Sequence, residues 1–169
     1  GIYNGMSAKY HVNDLNSREK DEHGTYIQRR VAKDDFGTNP CSEIILRSRE
    51  FCNLSEVVIR SNDTLQSIKD KIRVATILGT FQSTLTNFKY LSREWGRNCE
   101  EERLLGVSLT GIMDCAITNG SKGNIKKTLN ELREVAVKTN KEYAEKLGIN
   151  RAAAITCVKP SGTVSQLVD

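Results

Sequence analysis

Residues 54–88 read LSEVVIRSNDTLQSIKDKIRVATILGTFQSTLTNF, and a change of period inside this stretch decides the fold class. Leu54–Ile59 is a short run rich in valine and isoleucine, the composition of a half-buried strand. From Leu65 the step changes. Leu65, Ile68, Ile72, Ala75, Leu78, Phe81, Leu85 and Phe88 recur every three or four residues, which predicts one apolar stripe along a helix of about seven turns. Asp63, with Gln66 three residues on, has the spacing of a capping box at the helix start.

The same alternation extends to both sides. Glu43–Leu46 reads as another short strand, divided from Leu54–Ile59 by a charged turn around Arg47–Glu50. Residues 92–103 are polar, a loop or short helical link, and Leu104–Leu109 reads as a buried strand whose glycine permits close backbone approach. A second helix is predicted over Ile125–Leu147, its stripe formed by Ile125, Leu129, Leu132, Ala136, Tyr143 and Leu147, with Gly148 as a left-handed cap. Lys127–Glu131, Lys138–Glu142 and Lys141–Glu145 have i,i+4 spacing on its wet face. Ala152–Val158 is a further strand, and Val164–Val168 can open a helix. Strands alternating with long amphipathic helices make this an α/β protein, a sheet covered by helices. Residues 1–38 are polar, with a dense charged stretch from Asn13 to Asp35. They are expected to form an exposed connection with little regular structure, residues 1–35 being a polar variable arm on a single partial domain, 1–169.

Composition excludes several classes. At 169 residues, 38% hydrophobic and 27% charged, the chain is long and apolar enough for one core, so disorder is not expected. No run approaches the ~20 apolar residues of a membrane span, and the first residues lack the pattern of a signal peptide. The 25 basic and 21 acidic residues leave a net charge of +4 spread along the chain, which makes no case for nucleic acid or a membrane surface. Five irregularly spaced cysteines, an odd number, argue for reduced thiols in a cytoplasm. A start without methionine and an end just after a loop motif suggest an internal piece of a longer polypeptide.

The densest chemistry lies in Asn39-Pro40-Cys41-Ser42-Glu43, followed by Cys52 eleven residues after Cys41. In an extended segment Asn39, Cys41 and Glu43 would share one face, and a carboxylate there requires a polar cavity or partners. Neither Cys41 nor Cys52 has a C-x-x-C neighbour, and His11 and His23 are isolated, so no metal site is expected. A second candidate is Lys159-Pro160-Ser161-Gly162-Thr163, where backbone amides and two hydroxyls beside a glycine could cradle phosphate. It is not a Walker A loop, and Gly106 and Gly111 do not form G-x-G-x-x-G. The plain readings stay open at this stage: lone cysteines are usually small buried hydrophobes, and Pro160–Thr163 also fits a simple helix start. Cys157 reads as core and Cys99 as incidental.

Taken together these blocks resemble the ribonucleotide reductases. Asn39-Pro40-Cys41-Ser42-Glu43-Ile44 with Phe51-Cys52-Asn53-Leu54-Ser55-Glu56-Val57 is similar to the catalytic stretch of the adenosylcobalamin-dependent (class II) enzymes. Leu105–Asp114 and Lys159–Leu167 match further blocks in order, the latter looking more like the monomeric triphosphate reductases; residues 1–35 align only through Gly1–Asn4. The resemblance implies part of a ten-stranded α/β barrel with a central finger loop. Cys41 at the loop tip would become the thiyl radical that takes the ribose 3′ hydrogen. Glu43 would accept the 3′-hydroxyl proton, Asn39 would hold the ribose hydroxyls, and Cys52 would be one of two reducing thiols. Pro160, Ser161, Gly162 and Thr163 would bind the substrate phosphates. The implied cofactor is adenosylcobalamin, and the implied partners are a ribonucleotide, a dithiol reductant such as thioredoxin, and the rest of the same chain, including the second thiol of the Cys52 pair. A class I large subunit and a non-catalytic phosphate-binding module are the competing readings.

Overall fold

The computed structural model describes residues 5–16, 18, 20–160 and 162–168. In chain order the elements are α1 (Gly5–Asn16), β1 (Phe36–Thr38), β2 (Ile45–Arg47), β3 (Asn53–Val58), α2 (Leu65–Gln82), α3 (Arg93–Glu102), β4 (Leu105–Thr110), a single 3-10 turn (Ile112–Asp114), α4 (Ile125–Leu147) and α5 (Val164–Val168). The Gly1–Asn4 block lies outside the described residues.

β3 and β4 pair in parallel, from Asn53 opposite Leu105 to Val58 opposite Thr110. Parallel neighbours need a crossover, which α2 and α3 provide. After α4 the chain returns beside the other edge of β4. There the Leu105 and Val107 amides donate to the Ala154 and Ile155 carbonyls (3.0 and 2.8 Å), and Cys157 donates back to Val107 (3.1 Å). The expected strand Ala152–Val158 is thus reduced to a hydrogen-bonded run whose one formal bridge is Val107–Thr156. Behind this layer Val57, Ile59 and Val107 pack on Ile68, Ile72, Ala75, Leu132 and Ala136 of α2 and α4, with Cys115. The α/β class holds, and the four named strands form two separate pairs.

Several expectations need correction. The polar arm contains α1, whose Ala8 and Val12 bury against Phe36. Two apolar residues one turn apart suffice because their partner lies on β1. The cap of α2 is Thr64, not Asp63: its hydroxyl accepts from the Ser67 amide (3.1 Å), and Ser67 Oγ accepts from the Thr64 amide (2.9 Å). Asp63 instead accepts from the Arg60 amide, Ser67 Oγ and Lys71 Nζ.

α2 also stops at Gln82, and Leu78, Phe81 and Leu85 of the predicted stripe are exposed. Its buried face runs through Thr76, Gly79 and Thr80. The two threonine hydroxyls donate to the carbonyls four residues back (2.7 Å each), so their burial leaves no unpaired donor. Residues 93–102 are helical, and Cys99, expected to be incidental, is buried and accepts from the Phe51 amide (3.3 Å). α4 has the predicted bounds, with Asn124 capping the Lys127 amide and Gly148 left-handed (φ 64°). Two of its wet-face carboxylates reach across to α2: Glu131 pairs with Lys69, and Glu142 with Arg73 as well as Lys146. Among the described residues no helix is long and apolar enough to cross a membrane.

Candidate active site

β1 and β2 form an antiparallel hairpin, Phe36 opposite Arg47 and Thr38 opposite Ile45. Its tip is a tight turn, so Asn39, Cys41 and Glu43 do not share the face of an extended segment as expected. The Asn39 amide donates to the Ile44 carbonyl (3.3 Å), and Asn39 Oδ1 accepts from the Ile44 amide (3.0 Å). Ser42 donates to the Asn39 carbonyl (3.0 Å) and adopts φ 63°. Pro40 suits such a turn because its φ is already set. The loop closes through the Asn39 side chain and lifts Cys41 to the outside, where its thiol is exposed.

The base of the hairpin is held by buried charge. Arg30 donates to the Ile45 carbonyl (2.9 Å) and contacts Glu102 of α3 (2.9 Å) and Glu50 (3.5 Å). Arg47 contacts the same two carboxylates (3.7 Å to Glu50, 3.4 Å to Glu102) and pairs with Glu101 (2.8 Å). Burial and then the neighbouring Glu102 carboxylate push the Glu50 carboxyl well above its ordinary range. The polar arm, through Arg30, is therefore a structural member of the hairpin.

Below the tip lies the second face of the β3–β4 layer. Alternation puts Val57 and Ile59 on the core side, and Cys52, Leu54 and Glu56 on the other. A Cβ at Gly106 would stand 2.4 Å from Leu54 Cδ2, 3.1 Å from Ile44 Cδ1 and 3.2 Å from Cys157 Sγ. Glycine at this position lets the hairpin residue Ile44 and the thiol of Cys157 close over β4. Both oxygens of Glu43 are shut off from solvent and have no hydrogen-bond partner. Burial, and then the Glu43 charge, push the Cys52 thiol up to about 11 and the Cys157 thiol up to about 12. Cys157 belongs to this face rather than to the core predicted for it. At the far end Glu56, its two oxygens likewise buried without a hydrogen bond, lies 3.9 Å from Lys159 Nζ.

The structure thus brings Glu43 near Cys52 and Cys157, with Asn39 and Cys41 in the hairpin tip just before Glu43. Of the predicted phosphate loop, Pro160, Gly162 and Thr163 are exposed, and Ser161 lies outside the described residues. Sequence reasoning gave Glu56 no role and read Cys157 as core, and it named Lys159 only as the start of the phosphate loop, although the two-residue steps from Cys52 to Glu56 and from Cys157 to Lys159 carry the signal. Among the described residues no group of histidine, cysteine and carboxylate side chains could hold a metal ion.

Comparison with known proteins gives this geometry a context. No family model matches the chain. It is 31% identical over a 162-residue alignment, 81% of its length, to an adenosylcobalamin-dependent ribonucleoside-triphosphate reductase of Lactobacillus acidophilus. A protein of the same name from Euglena gracilis is 32% identical over 130 residues, 77% of the chain. The fold superposes on the crystal structure of a B12-dependent class II ribonucleotide reductase with a TM-score of 0.61 and 25% identity, covering 86% of this chain and 23% of that one. The chain is related to class II ribonucleotide reductases. It spans about a fifth of the length of the curated reductases it matches (21% and 17%). The α/β architecture agrees with that of the solved reductase.

Proposed function

We propose that this chain is the segment of a class II reductase's ten-stranded catalytic barrel that carries the radical thiol, the β1–β2 hairpin being its central finger loop. The whole protein then reduces ribonucleotides, triphosphates by preference, to 2′-deoxyribonucleotides in the cytoplasm, with adenosylcobalamin as cofactor and a dithiol protein such as thioredoxin as reductant. One observation carries this reading: an exposed thiol at a hairpin tip lies two residues from a buried carboxylate that has no hydrogen-bond partner and whose charge acts on a second thiol, Cys52.

Cys41 fits the cofactor's role because its thiol is open to a group brought from elsewhere in the protein; no described residue is assigned to holding the corrin. When bound, adenosylcobalamin would supply radical chemistry, and Cys41 would be the residue that gives up its thiol hydrogen atom to it. The Cys41 sulfur then takes the 3′ hydrogen atom of the ribose. Glu43 accepts the 3′-hydroxyl proton, and its empty acceptor sites in a dry setting make it a competent base. Asn39 Oδ1 is engaged by the Ile44 amide, which leaves the Nδ2 amine to hold a ribose hydroxyl oxygen.

Cys52, raised to about 11, stays a protonated thiol at neutral pH and has a proton to give to the departing 2′-hydroxyl. In balance, the substrate loses that hydroxyl as water while Cys52 and a partner thiol give two electrons and two protons and close to a disulfide, which the dithiol reductant reopens. Pro160, Ser161, Gly162 and Thr163 take the phosphates.

The test is dCTP formation from CTP by the complete polypeptide with a dithiol, with and without adenosylcobalamin. Product only with the cobalamin is expected. Product only on adding a radical-generating partner subunit, or none in either case, overturns the class II reading.

A further inference from the structure

Glu56 and Lys159 form an ion pair whose geometry is incomplete. Glu56 sits in the middle of β3 with its side chain nine-tenths buried (10% exposed), and neither oxygen receives a hydrogen bond. A buried carboxylate in this state is costly unless a cation or a donor meets it. Its cation is Lys159, at 3.9 Å, the outer limit of an ion contact and too long for a hydrogen bond. The lysine backbone is not free to improve the contact, because its amide is held by Ser108 Oγ on β4 (3.0 Å). The amine itself is not captive: the side chain is 27% exposed at the end of four rotatable bonds. Lys159 immediately precedes the stretch 160–163 read above as the phosphate site, of which Pro160, Gly162 and Thr163 are exposed.

From this we infer that Glu56 and Lys159 are a releasable pair, in which the Lys159 amine leaves Glu56 to engage the phosphate chain of a bound nucleotide. The inference rests on the proposed function for the identity of the ligand. The two residues then act in opposite senses. Lys159 adds affinity for the anionic end of the ligand. Glu56 competes with that end for the same amine and so lowers affinity. A purely structural ion pair has no such opposition, since loss of either partner would harm the site alike.

The experiment is titration calorimetry of the complete protein with CTP and with cytidine, which lacks the phosphates. Lys159→Gln is expected to weaken CTP binding about fivefold, and Glu56→Gln to tighten it about three- to fivefold, the upper range of a partly exposed charge pair. Cytidine affinity should stay within about twofold in both variants. Lys159→Arg, which keeps the charge, should restore most of the CTP affinity. Glu56→Asp serves if the glutamine variant does not fold, because the shorter carboxylate also loosens the pair and should tighten CTP binding.

Weaker or unchanged CTP binding in the Glu56 variants overturns the inference, as does a Lys159→Gln loss shared equally by cytidine. The proposed function fails separately, on the absence of cobalamin-dependent turnover in the wild-type protein.

Discussion

At Gly111 the backbone turns out of β4 with φ 74°, and a Cβ there would stand 2.4 Å from the Ile59 carbonyl oxygen. Neither the left-handed conformation nor a backbone carbonyl can yield cheaply. Gly111→Ala is therefore expected to destabilise the protein by about 2–4 kcal/mol, combining αL strain with overpacking. Denaturant unfolding should show a lower midpoint at unchanged slope, and an unchanged midpoint would contradict the close approach. Such a demand leaves only a trace in the sequence, a glycine after a strand. The site residues show the same division. Cys41, Glu43 and Cys52 stood out as candidates because thiol and carboxylate crowd a short span. The turn that separates Cys41 from Glu43 was not, since it depends on the Asn39 side chain closing onto the Ile44 amide.

Among the elements, the hairpin depends on a charge cluster assembled from three separate stretches: Arg30 from the arm, Arg47 and Glu50 at the hairpin base, and Glu102 from α3. The Glu50 carboxyl is raised from 4.5, by burial first and by Glu102 second. Above that value the unfolded chain holds fewer protons at this position than the folded one, so the contribution of Glu50 to stability is complete below pH 4.5 and is lost as pH rises through neutrality. Glu50→Gln should flatten the decline of unfolding free energy between pH 5 and 9, roughly the span over which a buried carboxyl of this kind titrates. A slope identical to wild type contradicts the assignment. No periodicity announces such a cluster, because its members lie up to 72 residues apart and two of them sit in stretches that read as solvated. Helix α4, by contrast, was legible in its bounds and in its glycine cap, because both signals are local, although Ile125 and Leu129 of its predicted stripe are exposed and Thr139, Asn140 and Ala144 are buried instead. The stripe of α2 was misplaced because its buried threonines satisfy their hydroxyls within the helix and so pass for polar positions.

For the molecule as a whole, the alternation of strand and helix was enough to give the α/β class, and the solved reductase agrees with it. The pairing of β3 with β4 and the polar face they carry became visible only with the register, which sets Cys52, Gly106 and Cys157 over one surface. Exposed apolar residues such as Val74 and Leu78 leave part of α2 uncovered, a face that the proposed barrel would cover with further elements. On the proposed function, the hairpin serves to present one thiol. The most direct test of this role is Cys41→Ser in the complete protein, measuring CTP reduction beside CTP binding. Deoxynucleotide formation is expected to fall below detection while the dissociation constant for CTP stays within about twofold, the mark of a group used in chemistry and not in binding. Substantial residual turnover in the serine variant would contradict that role.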